Sequence, residues 1–147
     1  MHTDPILDRG LPANPEAERM ILGSILIDQA RFPLVAETLA DESEWSLQKH
    51  RLIWSAMKAM WDRAVQIDRV TLANELQRNK QLEAVDGITY LVSLDDGLPT
   101  ICNLESYIGI VAEKATLRKA IIAAQALIND CTSSSDSADG ILSRAGR

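Results

Sequence analysis

The sequence predicts an all-α fold class, a compact multi-helix head followed by a long helix that starts a projecting helical hairpin. Three observations predict it. Apolar residues recur at spacings of three and four, helix-start signatures precede the apolar runs, and from Asn103 to about Asp130 there is no proline and a single glycine, Gly109. A chain of 147 residues can build one core but not two ordinary domains.

Taken in order, residues 1–13 contain Pro5, Gly10 and Pro12 without periodicity and read as a flexible arm. Residues 14–131 read as one helical domain, and 132–147 as a Ser-rich turn followed by the start of a second hairpin or linker helix. Asn14 is placed to cap the first helix, Pro15 stands where its missing N–H is harmless, and Glu16 and Glu18 suit the positive end of the helix dipole. Ile21, Leu22, Ile25 and Leu26 form its apolar stripe. Gly23 costs about 1 kcal/mol against alanine there, which points to a closely packed neighbouring backbone.

A short helix is expected near Ala30–Leu39, ended by the polar cluster 41–44. Leu47, His50, Trp54, Met57 and Trp61 mark the main core helix, flanked by Ile53 and Met60. Asp68 is placed to cap the next helix, with Thr71 at its third position and Leu72, Ala73 and Leu76 on its buried side. Residues 82–86 read as a link and 87–94 as a short apolar helix, which Gly97, Leu98 and Pro99 break.

Asn103 caps a final long helix over 103–130, roughly 28 residues or about 42 Å. One stripe holds Leu104, Ile108, Val111, Ala115 and Ile122; another holds Tyr107, Ile110, Leu117, Ile121, Ala124 and Ile128. Two apolar sides imply two packing partners. The first half can cover the head, whereas AIIAAQALI at 120–128 extends past it with small alanines that permit close helix approach. A hairpin of this length needs a longer return than 139–147, so the chain is expected to be cut from a larger polypeptide.

Several function classes lack their residues. None of the seven glycines precedes a lysine, so the phosphate-cradling loop is missing, and GxGxxG and HExxH are missing too. His2 lies in the arm and His50 on an apolar stripe, expected to be a half-buried structural histidine without the partners a site needs. Glu16 and Glu18 are expected to serve the helix dipole, because side chains two apart diverge. Trp45, Trp54 and Trp61 suit core packing better than base stacking. No catalytic, cofactor-binding or metal-ligating residue is assigned, and a small enzyme is disfavoured.

The net charge of −6 opposes capture of nucleic acid, and Gln81–Glu113 holds six acids and no lysine or arginine. A free-standing helix-turn-helix-like DNA-binding regulator is the alternative for 68–94, yet the second helix offers Tyr, Val and Ser to a groove that asks for basic and amide groups. Cys102 and Cys131, at opposite ends of the long helix, are expected to be reduced thiols of a cytoplasmic protein. No apolar stretch approaches the roughly 20 residues of a membrane span, and no membrane partner is expected.

The segments LPANPEAERMILGSILID at 11–28, HRLIWSAM at 50–57, IDRVTLANEL at 67–76, GITYLVSL at 87–94 and NLESYIGIVAEKATLRKAI at 103–121, in this order, resemble the N-terminal domain of the bacterial replicative DNA helicase, the DnaB family. Two departures stand out: Trp45 where an aromatic pair with Phe is common, and Asp86 before Gly87 where the family usually has two glycines. The resemblance implies an oligomerisation and primase-docking collar acting in DNA replication. It implies self-association as a dimer, six copies forming a trimer of dimers, with the primase C-terminal domain and a helicase loader as partners. Single-stranded DNA would be met only through the full-length ring. ATP and Mg belong to a motor domain outside this chain, so the chain itself is expected not to be an enzyme and to hold no cofactor. The oligomer interface is placed at Ile121, Ala124 and Ile128. Primase docking is placed at Tyr90, Ile121 and Leu127, with the Tyr90 phenol keeping a wet end while its ring packs on the partner.

Overall fold

The computed structural model describes residues 10–98, 103–133 and 137–146. It contains seven α-helices and no strand among these residues. They are α1 (Pro15–Ile27), α2 (Phe32–Thr38), α3 (Gln48–Asp62), α4 (Arg69–Arg78), α5 (Gly87–Ser93), α6 (Leu104–Ser133) and α7 (Ala138–Ala145). The described residues divide into two compact units, a head over Ala13–Ala115 and a second unit of 10–12 with 116–133 and 137–146.

The head begins as its sequence predicts. Asn14 Oδ1 accepts from the Ala17 N–H at 3.0 Å, and Ile21, Leu22, Ile25 and Leu26 are buried. Gly23 is the tightest place in the fold. A β-carbon there would lie 2.1 Å from the Leu94 carbonyl oxygen and 2.6 Å from its carbon, so α1 passes directly against the backbone that follows α5. One turn earlier, Arg19 Nη1 donates to the Ser93 carbonyl at 2.8 Å and to that of Leu94 at 3.4 Å. A cation thus serves carbonyls that the end of α5 leaves without helical partners.

The helix expected near Ala30–Leu39 is broken in two. Asp28 accepts from the Ala30 N–H and starts a tight 3-10 turn, Gln29–Arg31, and Pro33, which has no N–H to donate, sits in the first turn of the restarted α2. The polar cluster and the link downstream also contain single turns, Glu42–Glu44 and Glu83–Val85, and Val85 is fully buried. On α3, His50, Ile53, Trp54, Met57 and Met60 face the core. Trp61 does not follow them. It is 38% exposed and stacks on Phe32 at 5.1 Å, the outer member of a ladder that continues through Trp54 at 4.8 Å to Trp45 at 5.2 Å. Trp45 and Trp54 are core, as expected.

Asp68 and Thr71 close a reciprocal capping box at the start of α4. The chain leaves α3, α4 and the 83–85 turn through left-handed residues, Ala64, Lys80 and Asp86. In each case an N–H bonds a carbonyl five residues back: Val65 to Met60, Gln81 to Leu76 and Gly87 to Leu82. Gly87 is left-handed too, with φ +75° after +66° at Asp86. Consecutive positive φ values are where glycine costs least, which gives the departure at Asp86 its physical meaning.

Helix α6 starts one residue after its Asn103 cap and runs three residues beyond the expected end. Its terminal hydroxyls explain the extension. Thr132 Oγ1 donates to the Ile128 carbonyl at 2.9 Å and Ser133 Oγ to that of Asn129 at 2.6 Å, which supports helical turns where a polar turn was expected. Leu104, Ile108, Val111 and Ala115 are buried as one stripe. The next position on that stripe, Arg118, is buried as well, and its Nη1 donates to the Pro12 carbonyl at 3.0 Å. Ile122, placed on the same stripe from sequence, is 58% exposed. Residues 10–12 therefore bear on the helix through at least one hydrogen bond; the rest of the expected arm, with Pro5 and His2, lies outside the described residues. Ser137 caps α7, Ile141 is buried, and Arg144 lies 3.7 Å from Asp130. Cys131 is a free, exposed thiol, while Cys102 and Pro99 lie outside the described residues.

Candidate functional site

The head holds one buried chain of polar groups, and its members come from three helices. Glu18 on α1 and His50 on α3 each keep 1% of their side chains exposed. His50 Nδ1 lies 2.8 Å from Glu18 Oε1, and His50 Nε2 lies 2.6 Å from the Tyr90 hydroxyl on α5. Both carboxylate oxygens of Glu18 also accept from the Ser46 N–H at 3.1 Å. Burial would push the Glu18 carboxyl up; the bonds from His50 and Ser46 outweigh it and hold the group below the usual carboxylate range. Burial raises the Tyr90 phenol, so its hydroxyl stays protonated. An ionised carboxylate only accepts, so His50 donates at Nδ1, and a neutral ring accepts at Nε2 from Tyr90.

This arrangement corrects three expectations. Glu18 is not merely a first-turn dipole partner; that role falls to Glu16, which is exposed and pairs with Arg19 at 2.6 Å. His50 is fully rather than half buried, and it has the partners that its sequence neighbourhood lacks. The Tyr90 phenol does not keep a wet end. Its hydroxyl points inward to His50, while the half-buried ring carries the Lys49 ammonium 3.8 Å from its centroid. Lys49 in turn reaches Asp86 at 3.2 Å.

Carboxylate, imidazole and hydroxyl in hydrogen-bonded order resemble an activated nucleophile. Here they cannot act as one, because no substrate reaches a covered imidazole whose hydroxyl partner faces inward. The chain ties α1, α3 and α5 together in low dielectric, where a satisfied network specifies packing. A signal for it existed in the sequence: Glu18 precedes Leu22 and Ile25 by four and seven, so an acid stands on the apolar stripe of α1, as a histidine stands on that of α3.

In the second unit, Ile121, Ala124 and Ile128 share one face of α6 at intervals of three and four. Ile121 is half-buried, Ala124 exposed and Ile128 57% exposed. Leu127, half-buried, belongs to another flank. Tyr90 sits in the head, so the docking trio is divided between the two units. Groups of three or more His, Cys, Asp or Glu that could hold a metal are missing among the described residues, and no described helix is long and apolar enough to cross a membrane.

The DnaB-like helicase N terminal domain family matches residues 10–113. The replicative DNA helicase DnaC of Bacillus subtilis (strain 168) is 36% identical over 143 residues, covering 97% of this chain and 31% of the relative. The replicative DNA helicase DnaB of Geobacillus stearothermophilus is 36% identical over 136 residues, 92% of this chain and 30% of the relative. The chain thus spans about a third of these relatives' length. The crystal structure of the N-terminal domain of DnaB helicase from Mycobacterium tuberculosis superposes with a TM-score of 0.87 at 28% identity, covering 93% of this chain and 96% of that one. A DnaB-like replicative helicase described with its interactions with primase gives 0.69 at 26% identity, over 80% of this chain and 27% of that one. The all-α head, its capped α1, α3 and α4, and these matches agree: the chain belongs to the DnaB-like helicase N-terminal domain family.

Proposed function

We propose that this chain is the collar of a replicative DNA helicase, self-associating through Ile121, Ala124 and Ile128 on α6 and docking primase through a surface that includes Tyr90, Ile121 and Leu127. The observation that carries the reading is the change of burial along one helix. Leu104, Ile108, Val111 and Ala115 are covered, whereas Ile122 and Ile128 are more than half exposed in an equally apolar sequence. Exposed isoleucines beside alanines at helical spacing fit a second helix. The primase part is supported by the structural neighbour described with its interactions with primase. Within this reading the domain forms dimers and then a trimer of dimers in the cytoplasm, a loader is a further partner, and DNA passes through the full-length ring. ATP, Mg and catalysis belong to a motor domain that the matched family segment does not include.

Docking is tested by titrating a primase C-terminal domain against alanine variants of Tyr90, Ile121 and Leu127 that melt like the wild type. Loss of an anchor is expected to cost about 2 kcal/mol or more. Tyr90 needs a second variant, because alanine also strips His50 of its partner. Tyr90→Phe keeps the ring, so a ring anchor survives Phe and fails with Ala. Unchanged affinity in all variants moves the docking surface elsewhere.

A further inference from the structure

The groove between α4 and α5 is a second, separate surface of the head. Val70 and Ala73 of α4 and Ile88 and Val92 of α5 line a concavity of about 440 Å³. Val70 is 79%, Ile88 57% and Val92 45% exposed. Val70 also lines an adjoining hollow of about 380 Å³ with Val65, so the apolar floor continues past α4. On α5, Ile88 and Val92 stand four apart, and Tyr90, between them, is turned to His50. This face is not the one considered for primase.

Charge indicates what covers it. The chain carries −6 overall, yet residues 63–80 hold four cations against two acids. Both acids are occupied inside. Asp68 caps α4 through the Thr71 N–H, and Glu75 receives Arg63 at 2.7 Å and Arg78 at 2.9 Å. Asp95 receives Arg69 on the other wall. The carboxylates are nearly covered while the three guanidiniums remain about half exposed, so an approaching molecule meets an apolar floor rimmed by cations. The described residues offer no strand edge for an extended peptide to extend. A groove between two helices accepts the apolar stripe of a third.

We infer that the α4–α5 groove docks an amphipathic helix of a partner protein, its apolar stripe seated on Val70, Ile88 and Val92 and its flanks acidic toward Arg69, Arg78 and Lys80. Nucleic acid fits less well, because the floor presents aliphatic side chains without aromatic platforms.

The test is a display selection with the full chain as bait, using helical peptides apolar at i, i+3, i+4 and i+7 and randomised elsewhere. Enriched peptides are expected to carry acids beside the stripe. A synthesised winner should lose at least about tenfold in affinity to the double variant Val70→Glu with Val92→Glu, and also to Arg78→Glu with Lys80→Glu, which leaves the apolar floor intact. Sedimentation of both variants should match the wild type. An empty selection, winners without acids, or equal binding to both variants overturns the inference. So does altered self-association, which would make the occupant a second copy, or binding of labelled oligonucleotides that Arg78→Glu with Lys80→Glu abolishes.

Discussion

Helix α6 belongs to both units, and its two halves behave differently. Before Thr116 its apolar stripe is part of the head core; after it, isoleucines of the same kind stand in solvent, and the covered position is an arginine bonded to the Pro12 carbonyl. The head hides its polar groups by pairing them, as with Glu18, His50 and Tyr90, and hides its apolar groups by packing. The second unit leaves apolar groups uncovered. Burying an isoleucine is worth about 1.5–3 kcal/mol, so exposure of several in one short stretch is a cost that a partner helix would remove.

If the head is the self-sufficient unit, damage there should be large. Gly23→Val sets a branched side chain against the Leu94 carbonyl, where even a β-carbon would lie at 2.1 Å. We expect a loss of about 3 kcal/mol, read by urea unfolding. A loss under about 1 kcal/mol would mean that α1 and the end of α5 move apart cheaply, and the head would be looser than its contacts imply.

Glu18→Gln comes next. It keeps the shape but removes a buried carboxylate with charge-assisted bonds, an expected loss of about 2 kcal/mol at neutral pH. The sign of its pH dependence follows from a carboxyl held below its ordinary value of 4.5. Such a group contributes stability that is present above the unfolded-state value and is lost as pH falls through the lower folded-state value. Wild-type stability should therefore fall more steeply below that range than that of Glu18→Gln. Parallel pH profiles would show that Glu18 does not carry the acid limb.

These two sites also mark what could be read from sequence. The Gly23 packing was legible because a glycine inside an apolar helical run has few other uses, and the caps at Asn14, Asp68 and Asn103 were legible because capping is local. The Glu18–His50–Tyr90 chain was not, since its members are far apart in sequence and meet only once three helices pack. Arg118 was hidden by its stem: an arginine can occupy a stripe position when its head finds a carbonyl, here that of Pro12. Trp61 was misplaced because periodicity gives a face and not the depth at which a helix leaves the core. The exposed groove at Val70, Ile88 and Val92 carried no signal, as single surface aliphatics are ordinary.

A smaller effect, of opposite sign, is expected at Asp86. Its left-handed backbone costs an L-residue about 1 kcal/mol, and its ion pair with Lys49 is exposed and worth about 0–1 kcal/mol. Asp86→Gly should therefore stabilise the head by less than about 1 kcal/mol, seen as a small rise in the urea midpoint. Destabilisation would show that holding Lys49 over the Tyr90 ring matters more than the backbone.

The smallest effect on folding is expected in the second unit, and there it discriminates best. Ile128 is 57% exposed, so Ile128→Asp removes little packing and should change the unfolding free energy of the isolated chain by no more than about 0.5 kcal/mol. If the exposed face is a contact between copies, the same aspartate is buried against a like residue in a symmetric pair, an unpaired charge that association cannot tolerate. The measurement has to separate the two effects, because association itself raises apparent stability with concentration. Unfolding should therefore be followed at several protein concentrations beside sedimentation. The wild type is expected to gain stability and mass as concentration rises; Ile128→Asp and Ile121→Asp should match its dilute limit and stay there. Equal mass and equal concentration dependence in wild type and variants would remove the contact from this face. A variant that is unstable even when dilute would place Ile128 in the chain's own core, and the contrast between the halves of α6 would be lost.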